Sequence, residues 1–265
     1  MDKRPIGVLD SGVGGLTVWA EITKLLPQES TLYIGDSKNA PYGDRNRDEI
    51  FQLARRLVRY LLKRDAKLIV VACNVITTTS LDRLRSEFKG IPLIGTVPVV
   101  KKAAEKTKKK KIGILSTNGT ARSLYQKHLI EQFANGLEVV NLGNNLLVPL
   151  IEKGILEGKL VQSILKKSLQ PFIEKKVDIV ALGCTHFPFL RNQMQEILGR
   201  EILLLDSGSA VARQVERILE KNKMENARKT ASHTIFTTGD IAVMRNIMEK
   251  TKLPISLVTK ASLRE

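Results

Sequence analysis

Residues 68–73 are Leu-Ile-Val-Val-Ala-Cys, and residues 179–184 are Ile-Val-Ala-Leu-Gly-Cys. Each run is short, continuously apolar and rich in branched side chains, which is typical of a strand in a parallel sheet with helices on both faces. Each run also ends in a cysteine, and the chain contains only these two. The matching runs are the first indication that the chain contains two similar α/β units.

A second pair of runs supports this interpretation. Residues 6–11 are Ile-Gly-Val-Leu-Asp-Ser, and residues 112–117 are Ile-Gly-Ile-Leu-Ser-Thr. The spacing also agrees, since a hydroxyl side chain follows 23 positions after each cysteine, at Thr96 and at Ser207. An internal repeat of this kind predicts one βα unit in each half of the chain, with the last residues returning to one of them.

Strand-like and helix-like segments alternate along the whole chain, which predicts an α/β fold with mainly parallel sheets. Amphipathic segments at 47–63 and 190–198 predict crossover helices. Both cysteines then lie at the carboxyl edge of a sheet, where open α/β sheets bind ligands, and if the two halves face each other the thiols do so as well. The predicted strands are residues 6–10, 31–35, 68–73, 93–97, 111–115, 138–142, 179–183, 202–205 and 234–237.

The composition excludes several classes of protein. The chain has 265 residues, 43% hydrophobic and 26% charged, so it is not disordered and is long enough for two domains. Two cysteines and three histidines exclude a disulfide scaffold and offer few metal ligands, so we expect free thiols and no metal site. Without an export signal or an apolar run near ~18 residues, we expect a cytoplasmic protein that does not associate with membranes.

The charge balance favours anionic partners. Lys and Arg number 43 against 27 Asp and Glu, a net charge of +16. Seven lysines within residues 101–111 could follow a phosphate backbone, so a nucleic-acid- or protein-binding factor is one alternative. No helix-turn-helix, zinc or aromatic RNA motif accompanies them, and such runs are usually a solvated helix face or turn. We therefore expect nucleic-acid binding to be absent or weak.

The two cysteines are candidates for acid/base chemistry. A cysteine between a strand and a helix lies near free backbone N–H groups, a position that lowers the pKa of a thiol. One such cysteine is more often an inert buried side chain, but the matched pair Cys73 and Cys184 favours two reactive thiols. His186 follows Cys184 by two residues and could polarise it, whereas His128 and His233 are expected to be ordinary hydrogen-bonded side chains.

The segment Asp10–Gly15 invites comparison with a dinucleotide-binding loop. The third glycine of that fingerprint would stand at position 17, which is Thr17, so the fingerprint fails although Asp36 lies at a suitable distance. Two interpretations remain. The segment is either a ligand-binding strand end that offers backbone N–H groups with Asp10 and Ser11, or a tight glycine turn into a helix with Asp10 as its cap.

Four motifs stand in order along the chain. They are Gly-Val-Leu-Asp-Ser-Gly-Val-Gly-Gly-Leu-Thr at 7–17, Pro-Tyr-Gly at 41–43, Ala-Cys-Asn at 72–74 and Gly-Cys-Thr-His-Phe-Pro at 183–188. Together these motifs resemble the glutamate racemases, over nearly the entire chain. The last motif alone would also fit the wider group of cofactor-free amino-acid racemases.

The resemblance implies two pseudosymmetric α/β domains, each a mainly parallel sheet flanked by helices, with the active site in the interdomain cleft. One domain would comprise residues 1–97 and 208–265, since in the family the C-terminal segment packs back on the first half, and the other residues 98–207. The resemblance also implies a homodimeric isomerase that needs no cofactor or metal, interconverts L- and D-glutamate and supplies D-glutamate for peptidoglycan synthesis.

The same resemblance implies roles for individual residues. Cys73 would remove a proton from one face of the α-carbon while Cys184 delivers one from the other face, and exchanging which thiol is ionised would let the site run in both directions. Asp10 would assist Cys73, and His186 with Glu152 would assist Cys184. The substrate-binding residues would be Asp10, Ser11, Pro41, Tyr42, Gly43, Cys73, Asn74, Val75, Cys184, Thr185 and His186.

One residue departs from the family's pattern. Where the family usually has Cys-Asn-Thr, this chain has Cys73-Asn74-Val75, so a hydroxyl expected to hold a substrate carboxylate is absent. The backbone N–H remains, and we therefore expect altered affinity or side-chain preference, with activity retained. A racemase of aspartate or another acidic amino acid is the alternative within the enzyme class. The presence of both cysteines, Asp10 and His186 favours either enzyme over a pure binding factor.

Overall fold

The computed structural model describes residues 2–96, 99–226, 230–254 and 257–263. These residues form two parallel sheets flanked by helices. The strands are β1 (Ile6–Asp10), β2 (Thr31–Gly35), β3 (Leu68–Val71), β4 (Leu93–Gly95), β5 (Lys111–Ser116), β6 (Glu138–Gly143), β7 (Ile179–Gly183), β8 (Leu203–Leu205), β9 (His233–Thr237) and β10 (Leu257–Lys260). The α-helices are α1 (Leu16–Leu25), α2 (Arg47–Leu62), α3 (Asn74–Glu87), α4 (Val100–Lys106), α5 (Asn118–Ala121), α6 (Leu124–Phe133), α7 (Leu147–Glu152), α8 (Lys159–Glu174), α9 (Arg191–Leu198), α10 (Gly208–Asn222) and α11 (Ile241–Lys250), and a 3-10 turn covers Phe187–Leu190.

The strand order repeats, in agreement with the two similar βα units that the internal repeat predicted. The first lobe is built on β1–β4, β9 and β10, in the order β10-β9-β2-β1-β3-β4, and the second lobe on β5–β8, in the order β6-β5-β7-β8. The order β2-β1-β3-β4 of the first lobe therefore recurs in the second. Ile6 of β1 pairs with Leu68, and Ile112 of β5 pairs with Ile179, so the matching runs lie side by side once in each sheet. The predicted fold class is confirmed.

The C-terminal segment extends the sheet of the first lobe. β9 lies beside β2, with His233 paired to Thr31, and β10 adds an edge strand next to β9. α10 packs against α1 of the same lobe. Sequence analysis missed β10, because an edge strand of four residues buries only Val258 and leaves Leu257 exposed, which gives little apolar signal.

The ends of several elements differ from the prediction. The predicted strand 68–73 ends at Val71, because Cys73 already occupies the N-cap of α3. The predicted strand 93–97 is described to Gly95, and residues 97 and 98, where the expected domain boundary falls, lie outside the described residues. The lysine run is a helix face and a turn, as expected, since α4 buries Ala103 on one side and exposes Lys101, Glu105 and Lys106 on the other.

An apolar seam joins the two lobes. One continuous cluster of buried side chains includes Val13 and Leu16 from the first lobe, Ile151 and Phe187 from the second, and Ile247 from α11. This shared core holds the lobes against each other, with residues of both lobes around one cleft. In the described part of the chain, no helix combines the length and the apolar character that a membrane crossing requires.

A buried ion pair fastens the residues after α10 to the first lobe. Lys67 Nζ lies 2.7 Å from Glu29 Oε2, and both side chains are fully buried. Lys67 also donates to the backbone oxygens of Asp2 and Met224, so each of its three N–H groups has an acceptor. Glu29 Oε1 accepts from the Asn226 N–H. One buried cation thus connects three separate segments of the chain.

Replacing Lys67 with Met leaves Glu29 buried without its cation. We expect the free energy of unfolding, measured by urea denaturation at pH 7, to fall by about 3–5 kcal/mol. Lys127→Met is the matched control, because it breaks the exposed Lys127–Glu131 pair and should cost less than about 1 kcal/mol. Equal losses in the two variants would show that the buried pair does not hold the segment.

Candidate active site

The two cysteines line one narrow cleft between the lobes, Cys73 from the end of β3 and Cys184 from the end of β7. Of the residues predicted from the sequence, only Asp10 and Glu152 are absent from the lining, and each is hydrogen-bonded to a residue that lines it. The lining residues are Ser11, Pro41, Tyr42, Gly43, Cys73, Asn74, Val75, Thr117, Val148, Gly183, Cys184, Thr185 and His186.

Sequence analysis missed three of these lining residues. Thr117 could have been predicted from the sequence, because the internal repeat aligns it with Ser11. Gly183 immediately precedes the second cysteine and was quoted only as part of a motif. Val148 lies on α7, outside the repeated runs, and no sequence signal pointed to it.

Cys73 occupies the N-cap of α3 and is almost fully buried. Its thiol donates a hydrogen bond to Ser11 Oγ, 3.4 Å away. Burial, followed by the negative charge of Asp10, raises the pKa of the Cys73 thiol to about 12. The predicted lowering of this pKa is therefore wrong, because the loss of water around the thiolate outweighs the helix N–H groups.

Asp10 ends β1 and is fully buried behind Ser11. Its carboxylate accepts from the Gly12 N–H at 2.9 Å, from Thr185 Oγ1 at 3.1 Å and from Ser11 Oγ at 3.4 Å. Burial raises the pKa of Asp10 to about 6, against the opposing positive charge of His186. Ser11 thus connects this carboxyl group to the Cys73 thiol. Asp10 does not cap α1, whose N-cap is Gly15.

The second thiol has a different partner. His186 Nδ1 lies 3.8 Å from Cys184 Sγ, and His186 Nε2 lies 2.6 Å from Glu152 Oε1. Burial disfavours the charged ring, but hydrogen bonds with Cys184 and Glu152 outweigh it and raise the pKa of His186 well above its usual value. The protonated imidazole therefore faces Cys184, with its Nδ1–H directed at the sulfur.

Asp36 holds the loop that carries Pro41, Tyr42 and Gly43. Its carboxylate accepts from Tyr42 Oη at 2.6 Å, from Thr238 Oγ1 at 2.6 Å and from the amide of Asn39. The dinucleotide interpretation required this carboxylate to face a ribose. It is instead committed to the protein's own side chains, so Asp36 supports the cleft wall through Tyr42.

Asn74 and Val75 line the cleft at the start of α3. Asn74 Nδ2 is buried and, among the described residues, has no hydrogen-bond partner. A buried donor without an acceptor costs free energy unless a ligand satisfies it, so this amide is suited to an anionic group. Val75, beside it, offers only methyl groups.

The arrangement is suited to moving protons at one atom held between the two thiols. Each thiol has its own ionisable neighbour, Asp10 through Ser11 for Cys73 and His186 for Cys184. Within the described ranges, no group of three His, Cys, Asp or Glu side chains is placed to hold a metal ion.

Comparison with known proteins gives a consistent result. Residues 6–215 match the family described as Asp/Glu/hydantoin racemase. The glutamate racemase of Lactococcus lactis subsp. cremoris (strain SK11) is 38% identical over 252 residues, which are 94% of this chain and 92% of that protein. The crystal structure of glutamate racemase isoform RacE1 from Bacillus anthracis superposes with a TM-score of 0.88, at 32% identity and 99% coverage of both chains. Escherichia coli glutamate racemase, solved with L-glutamate and the activator UDP-MurNAc-Ala, has a TM-score of 0.86 at 33% identity and 98% coverage of both chains.

The raised pKa of Asp10 predicts a pH-dependent loss of stability. An unfolded Asp has a pKa of about 3.9, so between about pH 4 and pH 6 the folded protein binds this proton more tightly than the unfolded chain does. Stability should therefore fall as the pH rises through this window, by up to about 3 kcal/mol. Asp10→Asn removes this contribution. The free energy of unfolding of the variant minus that of the parent should therefore increase by that amount from pH 4 to pH 7.

Urea denaturation at the two pH values measures this difference. Asp82→Asn, on the exposed face of α3, is the matched control and should leave the difference near zero. If the difference in the free energy of unfolding between Asp10→Asn and the parent does not change with pH, burial does not perturb the pKa of this carboxyl group.

Proposed function

The chain belongs to the glutamate racemases, within the Asp/Glu/hydantoin racemase family, and we propose that it interconverts L- and D-glutamate by proton transfer between two cysteines, without a cofactor. One observation carries the proposal. A single cleft is lined by two thiols, one from each lobe, and each thiol has its own ionisable neighbour. Such a site can take a proton from one side of a carbon atom and return one from the other.

The two thiols take different parts in the proposed reaction. Cys73 is a neutral thiol, because burial and Asp10 raise its pKa to about 12. We assign the role of the base to Cys184, whose sulfur faces the protonated His186 ring. This assignment gives the site one acid and one base, which is the combination that a single proton exchange at carbon requires.

The reaction is then balanced between the two thiols. Cys184 thiolate takes the α-proton, and the electron pair of the broken C–H bond passes into the α-carboxylate. Cys73 then gives its S–H proton to the opposite face of the carbon. The product leaves Cys184 as a thiol and Cys73 as a thiolate, which is the state that the reverse reaction needs.

The substrate is held by the polar groups of the cleft. Ser11, Tyr42, Gly43, Asn74 and Thr185 bind its ammonium and carboxylate groups, and Asn74 supplies the amide donor that has no partner among the described residues. Pro41 and Val75 complete the wall around the side chain. The net charge of +16 favours the approach of a dicarboxylate.

The remaining proposals concern the protein's organisation and place in the cell. The domains are residues 1–97 with 208–265, and residues 98–207, a division supported by the membership of the two sheets. We place the enzyme in the cytoplasm as a homodimer, where its D-glutamate supplies peptidoglycan synthesis. These statements extend the family relationship to this chain.

Isotope transfer tests the two-thiol reaction. Starting from pure L-glutamate in deuterated water and sampling at low conversion, we expect solvent deuterium at the α-carbon of the D-product, while the remaining L-substrate keeps its proton. This follows because the accepting and the donating thiols are different groups, and the donor has equilibrated with solvent. Proton NMR measures the deuterium label at the α-carbon, and circular dichroism measures the conversion of the L- to the D-enantiomer.

Single cysteine variants complete the test. Cys73→Ala and Cys184→Ala should each lose racemisation, and since each keeps one cysteine, alkylation and mass spectrometry report the remaining thiol. Substantial return of the abstracted proton to the product, or racemisation by either variant, would contradict the assignment of both cysteines.

Val75 provides a test of the substrate. Val75→Thr restores a hydroxyl of nearly the same size, and a hydrogen bond to a charged group is worth about 1.5–3 kcal/mol, so KM for glutamate should fall while kcat changes less. Val75→Ala is the matched control, since it opens the same space without a hydroxyl. A parent enzyme that prefers aspartate, with preference switched to glutamate by Val75→Thr, would show that the substrate assigned here is wrong.

A further inference from the structure

The loop between β1 and α1 contains two glycines that its own backbone does not require. Gly12 and Gly14 are absent from the glycines with positive φ among the described residues, which are Gly90, Gly136, Gly154, Gly158 and Gly199. A left-handed backbone conformation, the usual reason for a glycine, is therefore not what Gly12 and Gly14 provide. The expectation of a tight glycine turn therefore does not explain them, and the reason lies in what they touch.

Both glycines press against the second lobe, at the residues that support Cys184. A Cβ on Gly12 would lie 1.8 Å from Glu152 Oε1 and 2.7 Å from Oε2. A Cβ on Gly14 would lie 2.3 Å from His186 Nδ1 and 2.5 Å from Thr185 Oγ1. Real Cβ atoms do not approach other atoms this closely, so any side chain at either position would displace Glu152 or His186.

The residue between the glycines makes a direct bond to the same group. The Val13 N–H donates to Glu152 Oε1 at 2.7 Å, and this is the oxygen that His186 Nε2 contacts at 2.6 Å. Glu152 Oε2 is buried and, within the described ranges, has no hydrogen-bond partner. The Val13 N–H is therefore what directs one particular oxygen of Glu152 towards the imidazole.

A further bond anchors the loop across the seam. Thr17 Oγ1, in the first turn of α1, donates to the backbone oxygen of Thr185 at 3.0 Å. Thr185 in turn donates to Asp10. The first lobe thus contacts the second lobe's acid/base group on both sides, at Glu152 and at the residue before His186.

We propose that Gly12, Val13 and Gly14 are positioning residues through which the first lobe completes the acid/base group of Cys184 in the second. The inference rests on the proposed function, which gives Cys184 its part in proton transfer. Its consequence is that the imidazole is correctly placed and paired only while the lobes are packed together. A substrate bound between separated lobes would meet only one competent thiol.

The state of the His186 ring tests this directly. The chain has three histidines, so 15N-histidine labelling gives few signals, and His186→Asn identifies the one of interest. In Gly12→Ala the new methyl group displaces the Glu152 carboxylate, which then no longer offsets the effect of burial on the charged His186 ring. The pKa of the ring should therefore fall in an NMR titration. Racemisation should fall mainly in kcat, by about 100-fold, the loss expected for a misplacement near 1 Å.

Two further variants separate positioning from general damage. Gly208→Ala is the control, because its Cβ would meet the flexible Glu21 side chain at 3.0 Å, Asp206 Oδ1 at 3.2 Å and the Thr17 backbone oxygen at an ordinary contact distance of 3.5 Å. None of these groups lines the cleft, so the variant should leave the His186 titration and kcat unchanged. Glu152→Asp shortens the acidic side chain and so withdraws the carboxylate from the methyl group that Gly12→Ala adds. In that background the Gly12 substitution should cost less than about 3-fold in kcat, a strong departure from additivity.

The outcomes distinguish this inference from the proposed function. A His186 titration that is unchanged in a folded Gly12→Ala variant overturns the inference, even if the enzyme racemises glutamate. Equal losses from the Gly12 substitution in the parent and in the Glu152→Asp background also overturn it. If the parent protein does not racemise glutamate but Gly12→Ala still shifts the His186 titration, the positioning role is supported and the function assigned to the site is contradicted.

Discussion

Burial of charge is the constraint on which the rest of this structure depends. Asp10, Cys73, Cys184 and His186 are almost or fully buried, so each charged form needs a partner in place of water. One of these partners comes directly from the opposite lobe, since Thr185 donates to Asp10. Another is held from the opposite lobe, since the Val13 N–H donates to Glu152, the partner of His186. The lobes must therefore stay packed for the site to hold its charges, and the apolar seam between them is a condition of the chemistry.

The two halves of the site share a backbone plan and differ in electrostatics. The internal repeat aligns Asp10 with Ser116 and His186 with Val75, so the carboxyl group of one half and the imidazole of the other have no counterparts. Enantiomers have equal free energies, which fixes the ratio of the forward and reverse rates but leaves the two proton transfers free to differ. An asymmetric pair of thiols, one beside a carboxyl group and one beside an imidazole, is thus compatible with a reaction that is symmetric overall.

The sequence predicted the architecture well because parallel strands buried on both faces leave a continuous apolar signal, as in residues 68–71 and 179–183. Strand ends and the repeat predicted that the two cysteines and the Asp10–Ser11 pair lie at ligand-facing sheet edges, and Thr117 could have been found in the same way. The Pro41–Gly43 loop and Glu152 were expected only from the resemblance to the glutamate racemases. The ionisation of Cys73 was mispredicted, since depth of burial depends on which elements cover the thiol. The roles of Gly12 and Gly14 were also out of reach, because their neighbours Glu152 and His186 lie far away along the chain.

The positive surface and the charges inside the cleft act over different distances. The field of a net charge of +16 increases the rate at which anions arrive, but at 0.1 M salt it decays over about 10 Å. Behind the lining of the cleft an ionised Asp10 opposes a dicarboxylate, while protonated His186 and the amide of Asn74, which line the cleft, favour it. Attraction by the surface therefore cannot hold the substrate at the reacting atoms, and short-range donors must do so. The absence of a hydroxyl at Val75 removes one such short-range donor. It should therefore weaken the binding of the substrate in the cleft without changing the rate at which the substrate arrives.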